Sequence, residues 1–160
     1  MLLGISKQTV NLVKNVLKDY PKEDWAINYI PHGIDEKKFF PIKNDLEFEV
    51  WKEKFLGKEE YDFVVLWNSR NIRRKNCPDI ILSWRTFLDQ LPKEKAKKCL
   101  LIMHTDPVDN NGTDLPAVIE ATCDPKIHKT KFSTGKIDHK HLNYLFNLSD
   151  AHMFMTDNEG

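Results

Sequence analysis

The sequence predicts an α/β fold built on a parallel sheet. Short apolar runs of five or six residues recur along the chain, longer amphipathic stretches lie between them, and capping or turn residues mark the junctions. Strands that alternate with helices form βαβ units, and successive strands then run parallel because each returns through a helix.

The elements follow in order. "MLLGI" reads as a strand, and Ser6 caps a helix to about Lys18 with Leu12, Val13, Val16 and Leu17 on one face. "WAINYI" is the next strand, ended by Pro31-His32-Gly33. Residues 35–44 are mixed, contain Pro41 and read as a connector; "DLEFEVWKEKFL" then reads as a helix stopped by Gly57. The second half repeats the rhythm. "FVVLW" is a strand, and a helix from about Pro78 spaces Ile80, Ile81, Trp84, Phe87, Leu88 and Leu91 at helical intervals. "CLLIM" is a strand, "HTDPVDNNGTD" a loop and residues 115–122 a helix. "TKFST" is a strand, Asp138 caps a helix to about Leu148, and "AHMFM" is the last strand.

Composition bounds the function. The chain has 160 residues, 41% hydrophobic and 30% charged, which is globular rather than disordered. Twenty-four basic residues balance twenty-four acidic ones, which argues against a general nucleic-acid sheath. The three cysteines, Cys77, Cys99 and Cys123, are odd in number and widely spaced, as expected of reduced thiols in a cytoplasmic protein. No apolar run approaches the ~18 residues of a membrane span, and "MLLGISKQTV" lacks the basic start of a signal peptide. The chain opens inside one apolar run and stops just past another, so it reads as a fragment.

The six glycines never form G-x-G-x-x-G or a P-loop, which weakens nicotinamide dehydrogenase and P-loop NTPase readings. "DPVDNNGTD" misses the calcium-loop template, with Pro107 at the first ligand position and no closing Glu, and reads as a surface loop. The six histidines form no H-x-x-x-H pair, and Cys123 with His128 lacks further zinc partners, so no metal is assigned. No nucleophile elbow supports a hydrolase.

What remains lies past the ends of predicted strands, where parallel sheets bind ligands. "WNSRNIRRKN" puts Arg70 and Lys75 on a strand-to-helix turn. Arg offers a planar fork of donors and Lys a mobile point charge, and the following helix adds N-terminal N–H groups, a set that suits a phosphate or diphosphate. The same spacing also fits a solvated basic turn, and Arg73 and Arg74 face solvent on either view. Asp157 and Glu159 follow the last strand, where a carboxylate can accept from sugar hydroxyls or simply belong to a polar loop.

Taken in order, several stretches resemble retaining glycosyltransferases of the GT-B fold, the group 1 or family-four type. "GISKQTVNLVKNVL" resembles the serine-capped helix late in that family's N-terminal domain. "INYIPHGIDEKKFFPI" resembles its P-[NH]-G-[VI]-D-x-x-x-F-x-P boundary, "VVLWNSRNIRRKN" the first strand of the C-terminal domain with its R-x4-K turn, and "STGKIDHKHLNYLFNLSDAHMFMTDNEG" the approach to E-x7-E. The match spans nearly the whole chain. It implies Rossmann-like parallel sheets with flanking helices: residues 1–40 as the end of the N-terminal domain and the connector, and 41–160 as a truncated C-terminal domain that binds a nucleotide-sugar donor.

The resemblance also implies roles. Arg70 and Lys75 would grip the donor diphosphate, Glu159 would lie against the donor sugar, and the backbone of Gly135, Lys136 and Ile137 would meet the base. It implies retention of configuration, no metal, no cofactor beyond the nucleotide-diphosphate sugar, and a glycan, lipid or protein acceptor. The departures are Ser69 and Asn76, where the family usually has Gly, and the second Glu, which would fall at position 167. The family's glycine-rich loop and acceptor-side histidine would lie upstream of Met1. The 160 residues alone are therefore expected to be inactive. Two alternatives stay open: a non-catalytic nucleotide-sugar binding module, and a nucleic-acid-binding domain using the Arg70–Lys75 turn.

Overall fold

The computed structural model describes the chain except residues 21, 22, 24, 25 and 158–160. Trp25, expected in a strand, and Glu159, expected at the site, lie outside the described residues. The chain forms two compact units, one of Met1–Glu36 and one of Lys37–Asp157.

The first unit is a single βαβ turn. Strands β1 (Leu2–Gly4) and β2 (Ile27–Tyr29) pair in parallel around helix α1 (Lys7–Val16). Ser6 caps α1, its Oγ accepting from the Thr9 N–H at 3.0 Å. A Cβ at Gly4 would fall 2.6 Å from Val10 Cγ2, so the glycine lets the helix lie close to its strand. Val10 is the buried residue of α1, whereas Leu12 and Val16 on the expected apolar face are exposed.

The second unit is a Rossmann-like α/β fold. Its four parallel strands, β3 (Phe63–Asn68), β4 (Cys99–His104), β5 (Thr130–Ser133) and β6 (Ala151–His152), lie in the order β5-β4-β3-β6. Helices α2 (Leu46–Leu56), α3 (Cys77–Asp89), α4 (Lys93–Ala96), α5 (Leu115–Thr122) and α6 (His139–Leu148) connect and cover them. The parallel α/β sheet expected from the sequence is the sheet observed.

Alternation along the two central strands divides the core. Val65, Trp67, Leu101 and Met103 pack with Ile80, Ile81, Trp84 and Leu88 of α3 and Leu115 of α5. Val64, Leu66, Leu100 and Ile102 point the other way, to Phe48 of α2 and Tyr144, Leu145 and Leu148 of α6. Because both faces are covered, β3 and β4 read as continuous apolar runs. Caps set the helix starts. Asp45 Oδ1 accepts from the Glu47 and Phe48 N–H groups at 2.8 and 3.1 Å, and Asp138 Oδ1 accepts from the His141 N–H at 2.8 Å. Gly57, at φ 80°, ends α2 in a conformation that favours glycine.

The chain runs from β3 outward to β5, then crosses back to β6 on the other side of β3. The connection direction thus reverses between β3 and β6. Such a switch point opens a crevice at the carboxyl ends of the strands. The last strand is shorter than the five residues "AHMFM" led one to expect: only Ala151 and His152 pair with β3. After the Met153 N–H donates to the Leu66 carbonyl, the chain leaves the sheet. The Thr156 hydroxyl and the Asp157 N–H both donate to the Arg74 carbonyl instead, at 3.1 and 3.0 Å.

The connector is tied to α6. Asn143 Nδ2 donates to the Phe40 carbonyl at 3.1 Å, and its Oδ1 accepts from the Phe40 N–H at 3.2 Å. Asn147 Oδ1 accepts from the Ile42 N–H at 2.8 Å. These bonds tie Phe40 and Ile42 to α6 within the second unit. Asn143→Ala removes a buried two-way amide pair and is expected to cost about 1–3 kcal/mol. Urea titration measures that loss, and faster tryptic cleavage after Lys38 or Lys43 reports release of the connector.

Candidate functional site

Parallel pairing puts the turns after β3, β4, β5 and β6 on one edge of the sheet. The turn after β3 holds Arg70, a 3-10 turn over Arg73–Lys75, and Asn76, the last residue before α3. Asn76 sits in the left-handed region at φ 47°. Its Nδ2 donates to Asp157 Oδ1 at 2.8 Å. The turn is therefore bordered by the segment after β6 on the switch-point side and by the β4–α5 loop on the other.

That second border is built on Asn71, which is buried at 1% exposure. Its Nδ2 lies within hydrogen-bonding range of the Asp106, Pro107 and Thr113 carbonyls, at 3.3, 3.2 and 2.7 Å, and its Oδ1 accepts from the Thr113 N–H at 3.2 Å. One carboxamide thus satisfies backbone groups at both ends of the loop. A Cβ at Gly112 would lie 2.2 Å from the Asn71 carbonyl oxygen, so the approach requires glycine.

The tip of that loop meets Arg70. Arg70 Nε donates to Asp109 Oδ2 at 2.8 Å and Nη2 donates to Oδ1 at 3.3 Å, a two-point pairing on an exposed guanidinium. The pairing raises the Arg70 pKa, and it holds the Asp109 carboxyl below its ordinary value, helped by the Asn111 N–H at 2.8 Å. Lys75 is half-buried at the far end of the turn, its N–H donating to the Ile72 carbonyl at 2.9 Å. Arg73 and Arg74 are exposed. A cavity of about 530 Å³ lies between the turn and the loop, lined by Asn71, Arg73, Asn76, Cys77, Asn111 and Thr113 among others.

The ends of β4 and β5 add a polar pair. His104 Nδ1 lies 2.9 Å from Ser133 Oγ, and burial lowers the His104 pKa. The neighbouring Thr105 hydroxyl is buried and has no hydrogen-bond partner among the described residues. Gly135, Lys136 and Ile137 form the turn from β5 into α6. Gly135 has φ 80° with open space around it, Lys136 is exposed, and Ile137 packs toward α6. They follow β5, two strands away from β3 and its Arg70 turn, with β4 between.

Arg70 and Lys75 thus share one turn, with Gly135–Ile137 on the same edge. Asn71, Asp109, Gly112 and the His104–Ser133 pair complete the surroundings and were not among the expected site residues. The signal for the loop was its D-N-N-G stretch, which forms an Asx turn rather than a calcium loop. Cys77 and Cys99 are buried, Cys123 is half-buried, and all three are free thiols; burial raises the pKa of the first two. Among the described residues no His/Cys/Asp/Glu group could hold a metal, and no helix is long and apolar enough to cross a membrane. No family model matches the chain, and no curated protein matches it.

Two outcomes follow. Gly112→Ala forces a Cβ into backbone and is expected to cost about 1–3 kcal/mol, read by chemical denaturation. His104 has a depressed folded-state pKa. Its contribution is fully present above the unfolded value near 6.5 and is lost as pH falls through the lower folded value. His104→Gln should therefore flatten the fall in melting temperature between about pH 7 and pH 5, seen in the wild-type minus variant difference.

Proposed function

We propose that this chain is a donor-binding part of a glycosyltransferase of the GT-B type, which moves a sugar from a nucleotide-diphosphate donor to an acceptor with retention of configuration. The observation that carries the reading is the R-x4-K turn. Arg70 and Lys75 follow a central parallel strand and precede the first turn of a 13-residue helix, next to the switch point of the sheet. Side-chain cations and helix N–H groups are what a diphosphate requires where no glycine loop exists.

In this reading the bond between the anomeric carbon and the diphosphate oxygen breaks, and the electron pair stays on the diphosphate. Arg70 and Lys75 stabilise that growing charge without a metal ion. An acceptor hydroxyl forms the new bond to that carbon and passes its proton to the departing diphosphate. Gly135, Lys136 and Ile137 meet the base through their backbone, and Glu159 binds the sugar. The acceptor is a glycan, a lipid or a protein, and the enzyme works in the cytoplasm. The R-x4-K turn, the fold and the neutral charge balance support this reading over a nucleic-acid interface.

The test is calorimetric titration with UDP, GDP and ADP, each against its nucleoside. At least one diphosphate should bind well above its nucleoside, and Arg70→Ala with Lys75→Ala should abolish the difference. In an enzyme that contains this chain, the double variant should lose on the order of 100-fold in kcat/KM. Equal binding of diphosphate and nucleoside, or an unaltered double variant, overturns the reading. Steeply salt-dependent binding to RNA or DNA would instead favour a nucleic-acid interface.

A further inference from the structure

Arg70 is not empty-handed. Asp109 holds two of its nitrogens, in the fork-to-carboxylate geometry that a phosphate oxygen pair would use. The loop bearing Asp109 is fixed at its base and not at its tip. Asn71 grips the backbone at Asp106, Pro107 and Thr113, and Gly112 packs against Asn71. Asp109 itself is held by local turn bonds, from the Asn111 N–H to its side chain and from the Gly112 N–H to its carbonyl. The Asp109 side chain is 11% exposed in this pairing, but none of the bonds that hold the base of the loop uses it.

We infer that Asp109 is an internal competitor for Arg70, a carboxylate latch that an incoming diphosphate displaces. The inference rests on the proposed anion role of Arg70 and adds its regulation. A carboxylate carries one negative charge and a diphosphate more, so the diphosphate wins the fork while singly charged anions do not. The latch therefore selects multiply charged phosphates. Displacement frees the loop tip, coupling occupancy of the turn to the conformation of residues 109–111.

Asp109→Asn isolates the charge. The amide oxygen still accepts from the Asn111 N–H, so the turn survives while the ion pair does not. Asp109→Ser retains a turn acceptor by a different route and serves as a second variant, with melting temperatures confirming that each folds. Inorganic pyrophosphate is the probe, titrated calorimetrically into the wild-type chain, each Asp109 variant, Arg70→Ala and the double variants. The latch predicts pyrophosphate binding tightened roughly three- to fivefold in the Asp109 variants, the scale of a pair whose Arg70 side is exposed to solvent, and no gain when Arg70 is Ala. If the Asp109 variants bind more weakly, Asp109 positions Arg70 and the latch is wrong. If they gain equally without Arg70, the effect is general charge and the latch is again wrong. In both cases a loss on Arg70→Ala leaves the anion role intact. Should no chain bind pyrophosphate, or Arg70→Ala bind as the wild type does, the anion role falls and the latch with it.

Discussion

Strand β3 is the constraint on which the second unit depends. All six of its residues pair with β4, and it is the only strand among those described that also pairs with β6. Its side chains enter both apolar layers, Val65 and Trp67 on one face and Val64 and Leu66 on the other. A strand held on both faces and both edges has one register, since a slip of one residue would exchange the two layers. The Trp84 indole shows how closely the layers are fitted: fully buried in α3, it still donates to the Lys129 carbonyl at 3.2 Å. The turn that holds Arg70 begins at the end of this strand.

Rigidity then passes from β3 to the neighbouring loop through Asn71. An apolar residue there would leave backbone groups of the β4–α5 loop without partners, at a cost of about 1–3 kcal/mol for each group that stays buried. A charged residue would have to be desolvated at this buried position. A carboxamide supplies both donor and acceptor, and Gly112 gives it room. The loop is thereby built as a second wall of the site, with a fixed base and a tip that faces Arg70.

These facts divide what the sequence discloses from what it hides. The strand runs, the caps at Ser6 and Asp138, the stop at Gly57 and the buried face of α3 are local signals, set by spacing or by a residue three or four positions away. The parallel sheet follows from their alternation. The Asn71 and Asp109 contacts are not local: Arg70 and Asp109 lie 39 positions apart, Asn71 and Thr113 lie 42 apart. No spacing rule joins them, and D-N-N-G alone fits a solvent turn as well as it fits a contact with Arg70. The truncated β6 is similar, because after Met153 the chain is held by the Arg74 carbonyl, which accepts from Thr156 and Asp157, and no local spacing announces that contact. The apolar face expected of α1 shows the converse: Leu12 and Val16 are exposed while Val13 and Leu17 are half-buried, since helical periodicity places residues on a face without saying what covers it.

Asn76 bears on how a turn of this kind can be made without glycine. The resembled family usually places Gly after the Lys, and a residue there must pass through the left-handed region before α3 begins. Asn76 does so at φ 47°, and asparagine is among the few residues with a Cβ that visit this region at modest cost. Its side chain does not cap α3 but donates to Asp157, so the departure from glycine is used to anchor the segment after β6. The N-terminal N–H groups of α3 are thereby left without a side-chain cap, which is the state an anion at the turn would require. A capping Ser or Asp at position 76 would compete with such an anion for the helix end. A glycine would leave that end open too but could not hold Asp157. The residue present satisfies both demands, which ties the geometry of the turn to the chemistry proposed for Arg70 and Lys75.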